Sequence, residues 1–323
     1  MAAAICSGAK LMHVKDIHRI GVVGAGLMGH GIALSFAVHG YDVHLWARGQ
    51  DRLDQALQNI RSGFQLLQQL GQVNSEQAEA AVLRIRSGVA LEELATEVDL
   101  VVEAVSENLT VKQELFGVLD RTCPPHAILA STTSSILPSA LASATRRRDR
   151  VLVTHYFNPP ALVPLVEVVR GPETSDTVAE TVCDVLRATG KRPAVVQKEV
   201  PGFIGNRLQA ALVREALSLV EHGIATPEDV DTVIKYSFGR RLAVAGAFEV
   251  GDLAGLDVYL NVASILFPAI ESSIEVPSVL LEKVERGELG VKAGRGFYEW
   301  TPEAAAALRE RIGRALVEPR SSQ

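Results

Sequence analysis

One stretch decides the fold of this 323-residue chain: Ile20-Gly21-Val22-Val23-Gly24-Ala25-Gly26-Leu27-Met28-Gly29. Its first four residues form a run that predicts a β-strand, and the three glycines that follow lead into a helical pattern extending through Phe36. A strand, a glycine-rich turn and a helix in this order bring backbone N–H groups and a helix N-terminus against a pyrophosphate. The sequence therefore predicts a dinucleotide site, rather than only a tight turn, with the following residues at the cofactor: Gly24, Gly26, Leu27, Met28 and Gly29.

The end of the second predicted strand, Val43 to Trp46, bears on the choice of cofactor. Domains of this type that bind NAD carry an acidic residue there, about 20 residues after the glycine turn, which takes the ribose hydroxyls. This chain has Ala47 and Arg48 instead, which removes a charge that would repel a 2′-phosphate and adds one that would attract it. We expect NADP or NAD as the cofactor, with NADP favoured. The alternative is an NAD site beside which Arg48 is a solvated surface residue.

The composition is that of a globular enzyme, with 47% hydrophobic residues, 22% charged residues and a net charge of −6. No basic field indicates nucleic-acid binding, and no apolar run reaches the roughly 18 residues of a membrane helix. We therefore expect a small-molecule substrate, with neither nucleic acid nor a membrane as partner.

The cysteines, Cys6, Cys123 and Cys183, are odd in number and widely spaced. This pattern indicates neither a disulfide framework nor a metal site, so we expect no metal and a cytoplasmic location. The apolar run at the start of the chain is broken at Ser7 and Gly8, too early for a signal peptide. Residues 1–17 are expected to be an N-terminal extension.

Short apolar runs alternate with helical patterns through the first two thirds of the chain. The runs are Ile20 to Val23, Val43 to Trp46, Leu100 to Glu103, Ile128 to Ser131, Val151 to His155, Leu165 to Val169 and Ala194 to Gln197. This alternation predicts an α/β fold with a doubly wound, mainly parallel, Rossmann-type sheet. Residues 54–86 are expected to form a helical pair that stands off the sheet.

After Pro201 the strand signal disappears, and apolar residues recur at helical spacing until Gly223 supplies a stop. The next helix is predicted to start at Thr226-Pro227-Glu228-Asp229, where Thr226 caps and proline fits the first helical position. A smaller all-α domain therefore follows the sheet. The expected division is 1–17 extension, 18–199 dinucleotide-binding domain, 200–302 helical domain and 303–323 C-terminal tail, in which a helix can open at Ala304.

His155 and Glu167 are the candidate catalytic residues. They are twelve residues apart, on two short β-rich runs between which lies an Asn-Pro-Pro turn that could bring them together. An imidazole takes a proton near neutral pH most effectively when a carboxylate holds its other nitrogen. Together with the nucleotide motif, this pair predicts a site that oxidises a hydroxyl group.

The assembled motifs resemble the L-3-hydroxyacyl-CoA dehydrogenase family over residues 18–302. The resemblance is carried by the glycine turn and by Val101 to Asn108, Ser131 to Ser135, His155 to Pro159, Pro201 to Arg207 and Gly294 to Tyr298. It implies a 3-hydroxy to 3-keto interconversion and dimerisation through the helical domain. It also implies that His155 is the general base, that Glu167 orients it, and that Ser134 and Asn206 hold the substrate oxygen.

The same resemblance implies that Asn158 lies near the nicotinamide and that Glu107 and Lys112 contact the cofactor. One part of the chain departs from the family pattern. Members that oxidise acyl-CoA carry a lysine-rich helical hairpin at the CoA phosphates, whereas residues 56–88 here offer only Arg61, Arg84 and Arg86. The chain is in this respect similar to relatives that act on free hydroxy acids, such as carnitine, gulonate or pyridine-carboxylate dehydrogenases.

A second segment that departs from the family pattern lies in the helical domain and contains Arg240 and Arg241. A guanidinium group binds a carboxylate with two hydrogen bonds, so these residues are candidates for a substrate carboxylate, with solvated surface charges as the alternative. Three functions stay open from the sequence: a 3-hydroxyacyl-CoA dehydrogenase, a dehydrogenase of a CoA-free hydroxy acid or alcohol, and a dinucleotide-binding structural protein without turnover.

Overall fold

The computed structural model describes residues 14–317, which contain one eight-stranded sheet. The strands are β1 Arg19–Val23, β2 Asp42–Trp46, β3 Ile85–Gly88, β4 Leu100–Glu103, β5 Ile128–Ser131, β6 Val151–Tyr156, β7 Leu165–Arg170 and β8 Arg192–Val196. Their order across the sheet is β3-β2-β1-β4-β5-β6-β7-β8. Neighbours pair in parallel except β6 and β7, which are antiparallel. The predicted mainly parallel, doubly wound sheet is confirmed.

Helices cover both faces of this sheet. They are α1 Leu27–Val38, α2 Gln50–Gln69, α3 Ser75–Leu83, α4 Leu91–Ala95, α5 Leu109–Thr122, α6 Pro138–Ala142 and α7 Asp176–Ala188. One apolar core lies under α1, α2, α3 and α7, and a second lies under α4, α5 and α6. The central strands are buried on both faces, which explains why they appear in the sequence as continuous apolar runs.

The site is positioned by the place where the strand order reverses. Strand β1 lies between β2 and β4, and its last residue, Val23, is in register with Trp46 and with Glu103. Glu103 is in turn in register with Ser131 at the end of β5. Ligands of open parallel sheets bind outside the carboxyl ends of the strands at such a switch point.

The helical pair predicted for residues 54–86 is present as α2 and α3, but it does not stand clear of the sheet. Leu53, Ile60 and Phe64 of α2 are buried in the same core as Phe36 of α1, and Ile85 begins the edge strand β3. The pair packs on the nucleotide helix because its apolar positions recur at helical spacing along one side.

The chain divides into two compact units. The second unit is Asn206–Ile312, and the first consists of the residues before it and those from Gly313 onward. The second consists of helices: α8 Gly205–Glu221, α9 Pro227–Tyr236, α10 Phe238–Leu242, α11 Ala247–Ala254, α12 Leu256–Leu266 and α13 Ser278–Glu285, with α14 Pro302–Val317 closing the described chain. The predicted start of α9 is confirmed, because Thr226 Oγ1 accepts from the Asp229 N–H with proline at the first helical position.

Both ends of the sequence lie outside the described residues. Of the extension expected over residues 1–17, only Val14–Asp16 with the residues up to β1 is described, and that segment forms a single 3₁₀ turn. Of the tail, residues 318–323 are outside. Within residues 14–317 no helix has both the length and the apolar character that a bilayer crossing requires.

Candidate active site

In the glycine turn between β1 and α1, each of the three positions requires or favours glycine on different structural grounds. Gly24 has φ +117°, and a Cβ there would lie 2.5 Å from the carbonyl oxygen of Ala104. A Cβ on Gly29 would lie 1.7 Å from the carbonyl oxygen of Gly24. At Gly26 a Cβ would meet nothing within 4 Å, so this residue faces open space at the N-terminus of α1. Two glycines close the turn and the third leaves room for a phosphate group.

A cleft of about 370 Å³ opens beside this turn. Its lining comes from the glycine turn, from the end of β2 and from the residues after β4: Gly24, Ala25, Gly26, Trp46, Ala47, Arg48, Arg52, Ala104, Val105 and Ser106. Gly24, Gly26, Ala47 and Arg48, predicted from the sequence, thus line one cleft. The residues fit the diphosphate and adenosine part of a dinucleotide, because the cleft combines free backbone N–H groups with two guanidinium groups.

Arg52 is the lining residue that the sequence analysis missed. It lies in the first turn of α2, four residues after Arg48. Arg48 precedes the helix, so no helical periodicity links the two arginines, and the sequence carried no signal that pointed to Arg52. Trp46, which also lines the cleft, donates from Nε1 to the carbonyl oxygen of Val89 at 2.8 Å.

His155 and Glu167 face each other across the antiparallel pair β6 and β7, where they are directly in register. His155 Nδ1 lies 2.7 Å from Glu167 Oε2, and the two residues are 4% and 1% exposed. Opposite residues in an antiparallel pair extend their side chains on the same face, so the twelve-residue separation is closed by the turn between the strands.

The second oxygen of Glu167 holds the backbone that leads into α8. Oε1 accepts from the N–H groups of Ile204 at 2.9 Å and Gly205 at 2.8 Å. Burial raises the pKa of Glu167, but the hydrogen bonds from His155, Gly205 and Ile204 outweigh burial, so this pKa lies below its usual value. Glu167 is therefore held as a carboxylate, and it keeps the histidine and the start of α8 in fixed positions.

Two aromatic rings enclose His155. The centroid of its ring lies 4.7 Å from that of Phe157 and 5.4 Å from that of Phe203, which is 1% exposed and has φ 51°. Since Nδ1 is bound to Glu167, the ring presents Nε2, for which the described residues supply no hydrogen-bond partner. The arrangement is that of an oriented base whose reactive nitrogen is available to a ligand.

A second buried ion pair joins the end of β4 to helix α5. Glu103, fully buried, accepts from Lys112 Nζ at 2.7 and 2.9 Å and from the Ser131 hydroxyl at 2.6 Å. Lys112 also lies 3.4 Å from Glu107 Oε2. Lys112, expected at the cofactor, is 1% exposed, and its ammonium is occupied by protein groups.

Glu107 is bound to the loop after β5. Its Oε1 accepts from the hydroxyl of Thr133 and, at 2.7 Å, from the hydroxyl of Ser135. Burial raises the pKa of Glu107, but the hydrogen bonds from Thr133 and Ser135 and the charge of Lys112 outweigh burial, so this pKa lies below its usual value. Ser134 lies exposed between the two anchored residues. Both neighbours of Ser134 are thus fixed, whereas its own hydroxyl has no hydrogen-bond partner within residues 14–317.

The remaining predicted residues lie at separate points. Asn158 is exposed directly after Phe157, and Asn206 is half-buried in the first turn of α8. Arg240 and Arg241 are exposed on α10 in the second unit, and neither forms an ion pair within residues 14–317. No group of three or more His, Cys, Asp or Glu side chains suited to a metal ion occurs in this part of the chain.

Comparison with known proteins covers almost all of the described chain. Residues 19–200 match the model of the NAD-binding domain of 3-hydroxyacyl-CoA dehydrogenase, and residues 202–300 match the model of its C-terminal domain. The chain belongs to the 3-hydroxyacyl-CoA dehydrogenase family. The resemblance inferred from the motifs is confirmed.

Similar members of the family include enzymes with and without CoA in their names. A 5-formyl-3-hydroxy-2-methylpyridine 4-carboxylate 5-dehydrogenase of Mesorhizobium japonicum is 33% identical over 94% of this chain and 97% of the relative. A probable 3-hydroxybutyryl-CoA dehydrogenase of Bacillus subtilis is 36% identical over 88% of this chain and 98% of the relative. The mitochondrial hydroxyacyl-coenzyme A dehydrogenase of Homo sapiens is 36% identical over 91% and 94%.

Solved structures of the family give the same two groups. A crystal structure of the pyridine-carboxylate 5-dehydrogenase, an NAD⁺-dependent dismutase, superposes with a TM-score of 0.87 at 34% identity over 94% of this chain and 97% of that chain. A (S)-3-hydroxybutyryl-CoA dehydrogenase from Ralstonia eutropha gives 0.75 at 32% identity over 88% and 99%. This family member is an NAD-dependent dehydrogenase that acts on a CH–OH group, and the sequence-based alternative of a structural protein without turnover is set aside.

Proposed function

We propose that His155 is the general base of this dehydrogenase and that it acts on a hydroxyl at position 3 of a carboxylate-bearing or thioester-bearing substrate. The observation that carries the proposal is the 2.7 Å contact between His155 Nδ1 and Glu167 Oε2, with Nε2 left to a ligand. In the direction of oxidation, Nε2 takes the hydroxyl proton, and Glu167 stabilises the charge that develops on the ring. A bound nicotinamide supplies the hydride acceptor.

Ser134 and Asn206 are proposed to hold the reacting oxygen within reach of His155. Both side chains donate and accept hydrogen bonds, which suits an oxygen that alternates between hydroxyl and carbonyl. Asn158 is proposed to lie at the nicotinamide, and Glu107 is proposed to contact the cofactor. Lys112 is proposed to serve the cofactor site through its ion pair with Glu107 and not by direct contact. This order of contact follows from the exposure of Asn158 and Glu107 and the burial of Lys112.

The experiment that tests the reaction follows nicotinamide absorbance with purified enzyme, each oxidised dinucleotide, and paired substrates with and without CoA. 3-Hydroxybutyryl-CoA is compared with free 3-hydroxybutyrate. Larger free hydroxy acids are tested in addition. Substrate-dependent reduction of the nicotinamide supports the proposal. If neither class supports turnover in either direction, the assignment to 3-hydroxy substrates fails.

We propose a CoA-free hydroxy acid as the second candidate substrate, because a separate observation on α2 and α3 supports it. The helices α2 and α3 expose glutamines and Leu66, Val82 and Leu83, where a CoA 3′-phosphate would require cations. Similarity to the pyridine-carboxylate enzyme agrees with this choice. A kcat/KM for the CoA thioester that exceeds those of all free acids by about 100-fold, or about 2.7 kcal/mol, would contradict it.

Arg240 and Arg241 are proposed to bind the free carboxylate of such a substrate. Guanidinium groups suit the task, and these two are exposed and without ion pairs in the described chain. Changing either to methionine is expected to raise KM for free acids and to leave KM for a CoA thioester unchanged. Equal effects on both classes would indicate a surface role instead.

NADP is proposed as the preferred cofactor, through Arg48 and Arg52 at the adenosine end of the cleft. The alternative is a preference for NAD, the cofactor of the matched family domain, with Arg48 as a solvated surface residue. Titrating NADH and NADPH fluorescence separates them, with Arg48→Asp and Arg52→Ala as variants and the exposed Arg61→Ala as matched control. Preference for NADPH in the wild type, lost in the two variants alone, supports the proposal; unchanged preference removes it.

A homodimer through the helical domain is also proposed. The second unit exposes large apolar side chains, among them Phe248 at 89%, Leu253 at 90% and Ile274 at 95%. Large apolar side chains exposed in such number are unfavourable in water and are typical of an interface. Sedimentation analysis is expected to give twice the chain mass of 34.6 kDa, and a monomer at micromolar concentration would contradict the proposal.

We further propose a reducing, cytoplasmic location. Cys123 and Cys183, the cysteines of the described residues, are both free and buried. Burial raises the pKa of Cys123 to about 11, which keeps the thiol protonated and unreactive. Fractionation of cells that express the natural gene tests the location.

A further inference from the structure

Lys191 is a buried cation that the chemistry above does not use. It follows the turn after α7 and directly precedes β8, and the whole residue is 5% exposed. Its Nζ donates to three backbone carbonyl oxygens: Pro160 at 2.6 Å, Val163 at 2.9 Å and Ala161 at 3.4 Å. Within residues 14–317 it has no carboxylate partner, so backbone dipoles alone compensate its burial.

The three carbonyl groups belong to one loop, residues 157–164, which connects β6 to β7. This loop starts two residues after His155 and carries Asn158. Inside it, the N–H groups of Leu162 and Val163 both donate to the carbonyl oxygen of Pro159, which closes a turn. The carbonyl oxygens of Pro160, Ala161 and Val163 accept from Lys191 Nζ.

The same loop is held from its other side by the nucleotide helix. A Cβ at Gly31 of α1 would lie 2.7 Å from Pro160 Cγ, so the proline ring is in close contact with the helix backbone. The loop is therefore fixed between α1, whose N-terminus faces the cofactor cleft, and the ammonium of Lys191. Removing the ammonium would leave three carbonyl groups without their common donor.

We propose that Lys191 is a positioning residue: it fixes loop 157–164 and thereby sets the position of Asn158 and of the end of β6 relative to the nicotinamide half of the cofactor. The inference rests on the proposed role of Asn158. The burial that lowers the pKa of Lys191 to about 8 is a cost that a solvated lysine would avoid. Fixing the loop gives a reason for a lysine at this buried position.

The test compares Lys191→Met, which keeps the apolar stem and removes the cation, with Arg192→Met, an exposed neighbour that loses its charge outside the loop. The first readout is hydrogen exchange of the Leu162 and Val163 amides in the full chain without ligand. Exchange at these two amides is expected to rise at least about 10-fold in Lys191→Met and to stay unchanged in Arg192→Met.

The second readout separates the two halves of the cofactor. Dissociation constants are measured for NADH and for ADP-ribose, which lacks the nicotinamide. Lys191→Met is expected to bind ADP-ribose as the wild type does, to bind NADH more weakly, and to lose about 10-fold or more in kcat. Lys191→Arg, which keeps the cation, is expected to recover most of the NADH affinity.

Each outcome bears on the proposal. Wild-type exchange at both amides in Lys191→Met overturns it, as does a mobile loop with an unchanged ratio of NADH to ADP-ribose affinity, since Lys191 would then be only structural. If Lys191→Met does not fold, Lys191→Gln gives the same readouts with a neutral donor, and wild-type behaviour of that variant overturns the proposal as well. The exchange measurement needs no substrate, so failure of the proposed reaction remains distinguishable.

Discussion

The His155–Glu167 pair lies between two strands and the Glu103–Lys112 pair between a strand and α5. Both pairs are buried, yet they differ in which polar atoms they leave without a partner. Lys112 contacts two carboxylates and the carbonyl oxygen of Val105. His155 uses only Nδ1, and Nε2 has no partner among the described residues. A buried pair whose polar atoms are all bound can only stabilise the loops around it. A pair that keeps one basic nitrogen free can also take a proton from a substrate.

Replacement of Glu167 by glutamine has the largest expected effect on activity. The amide cannot stabilise an imidazolium, so kcat is expected to fall by about 1,000-fold. Stopped-flow absorbance of the nicotinamide measures this loss, while the dinucleotide dissociation constant serves as control. A kcat within about 10-fold of the wild type would place Glu167 among residues that stabilise the fold only.

Replacement of Lys112 by methionine tests the other pair. It leaves Glu103 buried without its cation, so the free energy of unfolding is expected to fall by about 3 kcal/mol or more. Urea denaturation measures this, and the protein that stays folded at low temperature should retain kcat within about 10-fold. Loss of kcat comparable to that of Glu167→Gln, in folded protein, would remove the distinction between the two pairs.

Replacing two glycines of the turn by alanine, one at a time, separates effects on the stability of the fold from effects on dinucleotide binding. Gly29→Ala places a Cβ against the Gly24 carbonyl and is expected to destabilise the fold by about 2 kcal/mol. Gly26→Ala meets open space, so the free energy of unfolding should stay within about 0.5 kcal/mol of the wild type. Dinucleotide affinity should nevertheless fall about 10-fold in Gly26→Ala, or about 1.4 kcal/mol by calorimetry. Unchanged affinity would mean that the phosphate does not lie there.

The smallest expected effect concerns acid stability. The pKa of Glu167 in the folded protein lies below its unfolded value of about 4.3, so its stabilisation is fully present above that value. The stabilisation is lost as the pH falls through the folded pKa. The difference in unfolding free energy between wild type and Glu167→Gln should therefore shrink from pH 7 toward pH 3. A difference that grows in acid would contradict the assigned direction.

The sequence predicted most of the sheet because parallel strands buried on both faces are continuous apolar runs, as at Leu100–Glu103 and Ile128–Ser131. It missed β3, whose residues Ile85-Arg86-Ser87-Gly88 lie at the sheet edge and are largely polar. An edge strand has only one neighbour and can carry polar side chains, so its composition resembles that of a loop.

The contact between His155 and Glu167 was predicted, because two strands joined by a turn can pair and bring together residues on either side of that turn. Arg52 and Lys191 were missed for a different reason. Their partners are a cleft and the backbone of a distant loop, which leave no periodic trace in the sequence. The left-handed backbone of Phe203 was likewise outside sequence reasoning, since phenylalanine carries no preference for that conformation.

The most direct measurement is single-turnover hydride transfer in His155→Gln, with the oxidised dinucleotide bound beforehand and a substrate of the wild-type enzyme added in excess. Glutamine can hydrogen-bond but cannot take a proton near neutral pH. The rate of nicotinamide reduction is expected to fall by at least about 1,000-fold while the dinucleotide binds as tightly as in the wild type. A rate equal to that of the wild type would show that the proton leaves by another route and that His155 is not the base.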